Sequence, residues 1–406
     1  MNRLHLFLFG LPAVLAFAMN GAIVSPAAAQ AASIKVGCVA ALSGPAADIG
    51  NRLRDGAELA IANMKTINGR PIELVVRDSK GDPSVAQRQV ENLISEGIVG
   101  LVCVSLSSEG AALSAASKAG RLDIPTIQSS AVADEITGAH CNAWTFRTVP
   151  TAGTISRAVQ KLRQSDKELL DGGWYTLASD YLYGRSSAKA IAATPGIKIV
   201  GESFAPLDTT DWTPYLNKIV ASGAKALWLP VALGAPYVQL MTQANNLGLV
   251  QKIKIFAPTG LPQEFVEQLG DSGIGINEPA SAVLATEPGA KVAVDAYFAA
   301  HKKAPSEGVL QSYVGTSIML QAIKSAAKIS PEGVRDALQK GTFDTLVGQV
   351  RFRPGDQQIV APLWAAKVEK LATPVAGAGY GFKATHKFNP DDVMPKVEET
   401  GCKAAK

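Results

Sequence analysis

IKVGCVAALSGP, residues 34–45, and the run Arg52–Met64 that follows it set the pattern on which the rest of the chain is built. Ile34–Ala41 is short and almost wholly apolar, as a strand buried on both faces must be. In the second run Leu53, Ala57, Ala60, Ile61 and Met64 fall at i, i+4, i+7, i+8 and i+11, which is one face of a helix. Ile72–Arg77 reads as the next strand, and Asp82-Pro83 supplies a cap and first-turn proline for a helix carrying Ala86, Val90, Leu93 and Ile94. Ile98–Val104, a helix over Ala111–Ala119, and strands at Ile124–Gln128 and Trp144–Arg147 complete a unit. Repeated strand–helix–strand at this spacing implies a parallel sheet with helices on both faces.

The rhythm restarts at Trp174–Ala178 and continues through Lys198–Phe204, Ala226–Val231, Ile253–Ala257 and Ala282–Thr286, with helices between. Two doubly wound sheets suit the length, because single cores stop growing near 250–300 residues. Helices are expected near Lys291–Lys302, Val309–Lys328 and Pro331–Gly341, then antiparallel strands at Gly348–Phe352 and Pro362–Val368. The residues beyond Thr373, rich in Gly, Pro, Lys and Asp, are expected on the surface, with Gly377–Gly381 as a flexible loop.

Upstream, Arg3, the apolar run Leu6–Met19 and Ala29-Gln30-Ala31 have the three parts of a secretory signal, so residues 1–31 are expected to be removed on export. The formal charge of +4 has no Lys/Arg block behind it and gives no case for nucleic acid. Four cysteines in an exported chain can form disulfides. Cys38 and Cys103 lie in apolar strands, where a buried free thiol is common, whereas Cys141 and Cys402 lie in polar segments and are expected to pair.

A search for catalytic chemistry finds no HExxH, Walker loop, G-x-S-x-G elbow or C-x-x-C, and His140, His301 and His386 are widely spaced in polar surroundings. No enzyme activity, cofactor or metal site is expected, and Asp78 and Asp82 read as turn and cap residues. The turns after the strands say more, because ligands of parallel α/β sheets bind beyond the strands' carboxyl ends. Ser43–Gly50, Ser105–Gly110 and Ser129–Val132 lie there, and serine hydroxyls beside free helix amides suit a carboxylate.

Here the chain resembles the leucine/isoleucine/valine-binding proteins, the type I periplasmic solute-binding proteins of branched-chain amino acid and amide ABC importers. The resemblance runs from about Ile34 to Val368 and rests on the order and spacing of several short motifs. They include Ser43-Gly44-Pro45, Gly56-Ala57-Glu58-Leu59-Ala60, Phe146-Arg147-Thr148, Asp180–Gly184, Thr210–Pro214 and Gln243–Gly248. It implies two lobes joined by a three-segment hinge near Thr148–Thr151, Ala285–Pro288 and Gly355–Val360. Lobe one would take 32–149 with 286–357, lobe two 150–285 with 358–385, and 386–406 would form a tail. It further implies a monomer in the periplasm that captures a small molecule by hinge closure and hands it to permease and ATPase subunits. A sensor or receptor module of the same fold is the alternative.

Mapped residue by residue, the resemblance places the family's carboxylate loops on Ser107, Ser108, Ser130 and Val132, and its second-lobe tyrosine on Tyr183. Three positions depart. The first-lobe tyrosine falls on Ile49, another second-lobe tyrosine on Leu233, and the glutamate that holds the ligand ammonium on Thr259. A buried ammonium without a carboxylate partner is costly. Unless Asp48, Asp180 or Asp208 supplies that charge, the altered wall suits a more apolar ligand bearing a carboxylate or amide.

Overall fold

The computed structural model describes Met1 and residues 32–403, apart from 165, 167–168, 170–171, 232–234, 259–260 and 282–287. The expected signal, apart from Met1, the expected strand Ala282–Thr286 and the site candidates Leu233 and Thr259 therefore lie outside the described residues. Among the described residues, no helix is long and apolar enough to cross a membrane.

The first sheet grows outward from the opening stretch. β1 (Ile34–Ala40) leads into α1 (Ala47–Asn63), then β2 (Thr66–Ile67), β3 (Arg70–Asp78), α2 (Pro83–Ser95), β4 (Leu101–Val102), α3 (Ser107–Lys118), β5 (Thr126–Gln128) and β6 (Thr145–Arg147). The strand order is β2-β3-β1-β4-β5-β6, and all pairs but β2–β3 are parallel. Because β1 has β3 on one side and β4 on the other, the winding direction reverses there and leaves a crevice beyond their carboxyl ends. Asp82 caps α2 as its sequence suggests, accepting from the amides of Ser84 and Val85 at 2.8 Å.

The chain crosses to lobe two at Thr148–Thr151 and enters α4 (Ala152–Gln164). There β7 (Gly173–Ser179), β8 (Lys198–Ala205), β9 (Ala226–Trp228), β10 (Lys254–Phe256) and β11 (Asn277–Ser281) form a second parallel sheet. After residues 282–287 the helices Lys291–His301, Glu307–Ser325 and Pro331–Lys340 return to lobe one. A small antiparallel sheet of β12 (Phe343–Thr345), β13 (Gly348–Phe352) and β14 (Ile359–Val360) joins them. One apolar core unites β1 and α1 with this later material: Ile34, Leu53 and Phe146 share it with Leu310, Ile318 and Phe352. The fold is thus the type I periplasmic binding protein arrangement of two α/β lobes exchanging segments.

The C-terminal part departs from expectation. Gly348–Phe352 pairs with β14 rather than with the strand after Pro362, so the third crossing lies at Ala361–Pro362, just past the expected Gly355–Val360. The lobe boundary moves from 357/358 to that point. β15 (Leu363–Val375) and β16 (Ala378–Phe388) form a long hairpin on the edge of the second sheet, in the order β16-β15-β11-β10-β9-β7-β8. The Gly-rich segment Gly377–Gly381 is therefore a tight turn and the start of a strand, with Gly377 at φ 81°, and not a surface loop. The tail begins after Phe388.

That tail runs back to lobe one. Val393 is buried against lobe two, Arg353 of lobe one donates to the carbonyl of Pro395 at 2.8 Å, and Cys402 is bonded to Cys141. Cys38 and Cys103, read from the sequence as free thiols, are also bonded, with Cα atoms 5.0 Å apart. They face each other because β1 and β4 are neighbours, a pairing invisible until the strand order is known.

Candidate functional site

The end of each central strand feeds one crevice. The Asp78 carboxylate accepts from the Leu42 amide at 2.9 Å, the Ser43 hydroxyl at 2.6 Å and the Lys80 amide at 2.8 Å, which fixes the turn after β1. Burial works against the ionised form, but these hydrogen bonds outweigh it and hold Asp78 below its ordinary pKa. Ser105 accepts from the Ala41 amide at 2.9 Å and ties the end of β1 to the end of β4.

Ser107 and Ser108 are not in a loop, as the sequence suggested, but in the first turn of α3. Glu109, at the third position, accepts from the Leu106 amide at 2.9 Å and so satisfies a donor just before the helix. Burial raises the Glu109 pKa, against the hydrogen bonds from Ser79, Leu106 and Ser105.

A cavity of about 80 Å³ lies between the lobes at these turns. From lobe one it is lined by Ile49, Arg52, Ser105, Ser107, Ser130 and Val132, and by Ser306, Gly308 and Gln311 at the start of the helix Glu307–Ser325. From lobe two come Ile155, Tyr181, Tyr183, Pro258 and Pro262, and the crossing adds Val149 and Pro150. Two larger hollows, of about 740 and 490 Å³, include no residue from the turns after β1 and β4.

Of the residues singled out from sequence, Ile49, Ser107, Ser130, Val132 and Tyr183 therefore meet in one cavity. Ser108 is half-buried on the same helical turn but does not line it. None of the candidate charge partners lines the cavity. Asp180 is bound by Arg185 at 2.6 Å, Asp208 is exposed, and Asp48 pairs with Arg52 one turn along α1. Tyr181 and Tyr183 pack at 5.8 Å between ring centroids.

Sequence reasoning missed Arg52, Gln311, Ser306 and the prolines. Arg52 could have been found from Ile49, since residues three apart share a helical face. The others come from distant segments, and only the fold brings them to the cleft. A buried acid was also missed: Glu278 on β11 accepts from the Leu261 amide, and Tyr237 lies within its electrostatic reach.

The hinge side is held by Arg147, fully buried at the end of β6. It donates to Gln358 at 2.8 Å and to the carbonyl of Ala133 at 2.6 Å, joining the Ser130–Ala133 turn to the residue that precedes β14. Burial lowers its pKa to about 10, opposed by Asp134, Asp356 and Glu135, so it stays charged at neutral pH.

Two lobes closing on a lined cavity are what known binding proteins share, and the comparisons agree. A family profile described as periplasmic binding protein matches residues 33–373. The chain belongs to that family. This binding protein is 25% identical over 336 residues to the leucine-, isoleucine-, valine-, threonine-, and alanine-binding protein of Pseudomonas aeruginosa, covering 79% of this chain and 86% of that one. A periplasmic binding protein from Burkholderia mallei superposes with a TM-score of 0.81 at 22% identity, covering 92% of this chain and 99% of the other. An ABC-transporter solute-binding protein from Rhodopseudomonas palustris BisB5, solved in complex with 3,4-dihydroxy benzoic acid, superposes at 0.77 with 22% identity, covering 88% and 97%. The family profile and the curated relative place this binding protein in the leucine/isoleucine/valine-binding family.

Proposed function

We propose that this protein captures a small, largely apolar molecule bearing a carboxylate or amide in its interlobe cleft and delivers it to the permease and ATPase of an ABC importer. The observation that carries the reading is the cavity itself. Serines on the first turn of α3 and on the turn after β5 face apolar and aromatic residues of the other lobe. A helix N-terminus with hydroxyls favours an anionic or carbonyl head, and the Ile49, Val132, Val149 and Ile155 wall favours an apolar body. Relatives named for branched-chain amino acids and a neighbour solved with an aromatic acid bracket that chemistry. Residues 1–31 have the pattern of an export signal, so the working compartment is the periplasm.

Ligand held by both lobes stabilises the closed arrangement, since contacts made only when closed shift the equilibrium by their own free energy. The test is mass spectrometry of molecules released from the purified protein, with thermal shift against small acids and amides. Stoichiometric retention of such a compound, raising the melting temperature, is expected. Turnover of the compound, or retention of a cationic or sugar ligand alone, would overturn the reading.

A further inference from the structure

A second cavity, of about 60 Å³, lies at the hinge beside the cleft cavity. Val149, Pro150 and Gln311 line both, so the two hollows share a wall. One face of the helix Glu307–Ser325 runs along them: Gly308 and Gln311 border the cleft, and Gln311 and Val314 border the hinge. Residues three apart share a helical face, and at 1.5 Å per residue Gly308 and Val314 stand about 9 Å apart along the axis. That is the reach of a short carbon chain.

The hinge cavity is apolar in what it presents. Val314, Ile359 and Leu363 are buried around it, and Val347, Ala361 and Met394 are half-buried. Its polar side chains are already bonded within the protein. Thr148 donates to the Ser129 hydroxyl at 3.0 Å, and the Thr151 and Thr154 hydroxyls pair at 3.0 Å. The Gln358 amide donates to the Val149 carbonyl at 2.7 Å and accepts from Arg147 at 2.8 Å. Gln311 donates to Glu307, one turn back, at 3.0 Å. A hollow lined in this way has little hold on water and favours an apolar group. In the shared wall, Val149 and Pro150 belong to the first crossing, and Gln311 is the long side chain that can turn aside.

We propose that the hinge cavity receives the far end of the cleft's ligand: the polar head stays at the serines of α3 and of the turn after β5, and an apolar chain passes Gln311 into the hinge. This rests on the acid-or-amide reading above and narrows it to compounds with an extended apolar tail. The orientation follows from the linings, since hydroxyls and helix amides meet the head in the cleft while the hinge offers hydrocarbon. A tail seated there touches Pro150 of the first crossing and Pro362 of the third, so it bears on the segments that carry closure.

The experiment is calorimetry of the full mature protein with the unbranched acids and primary amides of four, six and eight carbons, and with phenylacetate and 4-phenylbutyrate. In the wild type, affinity should rise about tenfold for each two methylenes added, the size of effect that apolar burial gives. Val347→Phe and Ala361→Leu fill the hinge cavity from two separate segments. Either should abolish that rise while changing the affinity of the shortest compounds by no more than about threefold. Long compounds that bind no better than short ones would overturn the proposal and leave the acid-or-amide reading standing. A rise that survives both substitutions would send the tail elsewhere and overturn it too. The length series needs no variant, so a poorly folded substitution leaves the test intact. A wild type that binds none of the eight compounds counts against the acid-or-amide reading itself, and the hinge proposal falls with it.

Discussion

Glu109 joins the ligand cradle to the pH dependence of folding. It is 1% exposed in the first turn of α3, and its pKa is raised above 4.5, by burial first. A carboxyl with a raised folded pKa holds its proton more tightly folded than unfolded. Its contribution to stability therefore grows as pH falls through the folded pKa and is complete below 4.5. Asp134, also raised by burial, acts in the same direction, while the lowered Asp78 acts oppositely and loses its contribution as pH falls below 3.8. Glu109→Gln should flatten the rise in melting temperature from neutral pH down to the 4.5 of the unfolded group, read by thermal melts of ligand-free protein. An unchanged slope would assign that rise to other groups. A second expectation concerns ligand charge. With Thr259 where the resemblance to the leucine/isoleucine/valine-binding proteins implies an acid, leucine should bind about two to four decades more weakly than its deaminated acids, the cost of an unpaired buried ammonium being roughly 3–5 kcal/mol. Calorimetry decides it, with Glu278→Gln beside the wild type. Micromolar leucine binding lost in Glu278→Gln would show that this buried acid does the pairing instead.

The packing of α1 on the helix Glu307–Ser325 shows how elements far apart in sequence make one lobe. Gly56 lies where a Cβ would run into the carbonyl oxygen of Val309 and the Cβ of Ser312, so the helices approach closely only because that atom is absent. Gly56→Ala should cost about 1–3 kcal/mol through overpacking, despite the better helix propensity of alanine. Chemical denaturation measures it, and a stabilised variant would contradict the close approach. This dependence also explains what was legible beforehand. The 3.6-residue period of Leu53, Ala57 and Ala60 and the cap at Asp82 are local, and the alternation they belong to was enough for the two sheets. The pairing of Cys38 with Cys103, the β15–β16 hairpin and the entry of Ser306 and Gln311 into the cleft depend on strand order and chain return, which no local window contains. Within the cleft, Ile49, Ser107, Ser130, Val132 and Tyr183 were reachable through the motifs around them. Arg52 was passed over because a charge on a helix ordinarily faces water.

At the scale of the molecule, the lobes are joined by more than the chain crossings. The tail leaves β16 in lobe two, passes Arg353 and ends bonded to Cys141 in lobe one, so a disulfide closes a further strap over the hinge. Cys402→Ser should lower stability by about 2–4 kcal/mol, as expected for a long closed loop, with ligand affinity measured alongside to see whether the strap also limits opening. An unchanged denaturation midpoint would show that the tail docks without stabilising the fold. The exchange of segments has the larger consequence. Lobe one contains β1 to β6, but the apolar face of α1 and one side of β1 are covered by the helix Glu307–Ser325 and by Phe343, Val350 and Phe352. A chain ending near Thr286 lacks all of these. Its first sheet and α1 would expose Ile34, Val36, Leu53 and Ala57 to water, with Ile34, Val36 and Leu53 each forfeiting about 1.5–3 kcal/mol. Lobe two would lose β15 and β16 from its edge yet keep β7 to β11 and their helices. Hydrogen exchange on the truncated chain should therefore show β1 to β6 unprotected, with residual protection confined to β7, β9 and β10. Native-like protection of β1 and β4, with a cooperative melt, would mean that the N-terminal unit folds alone and that the returning helices only decorate it.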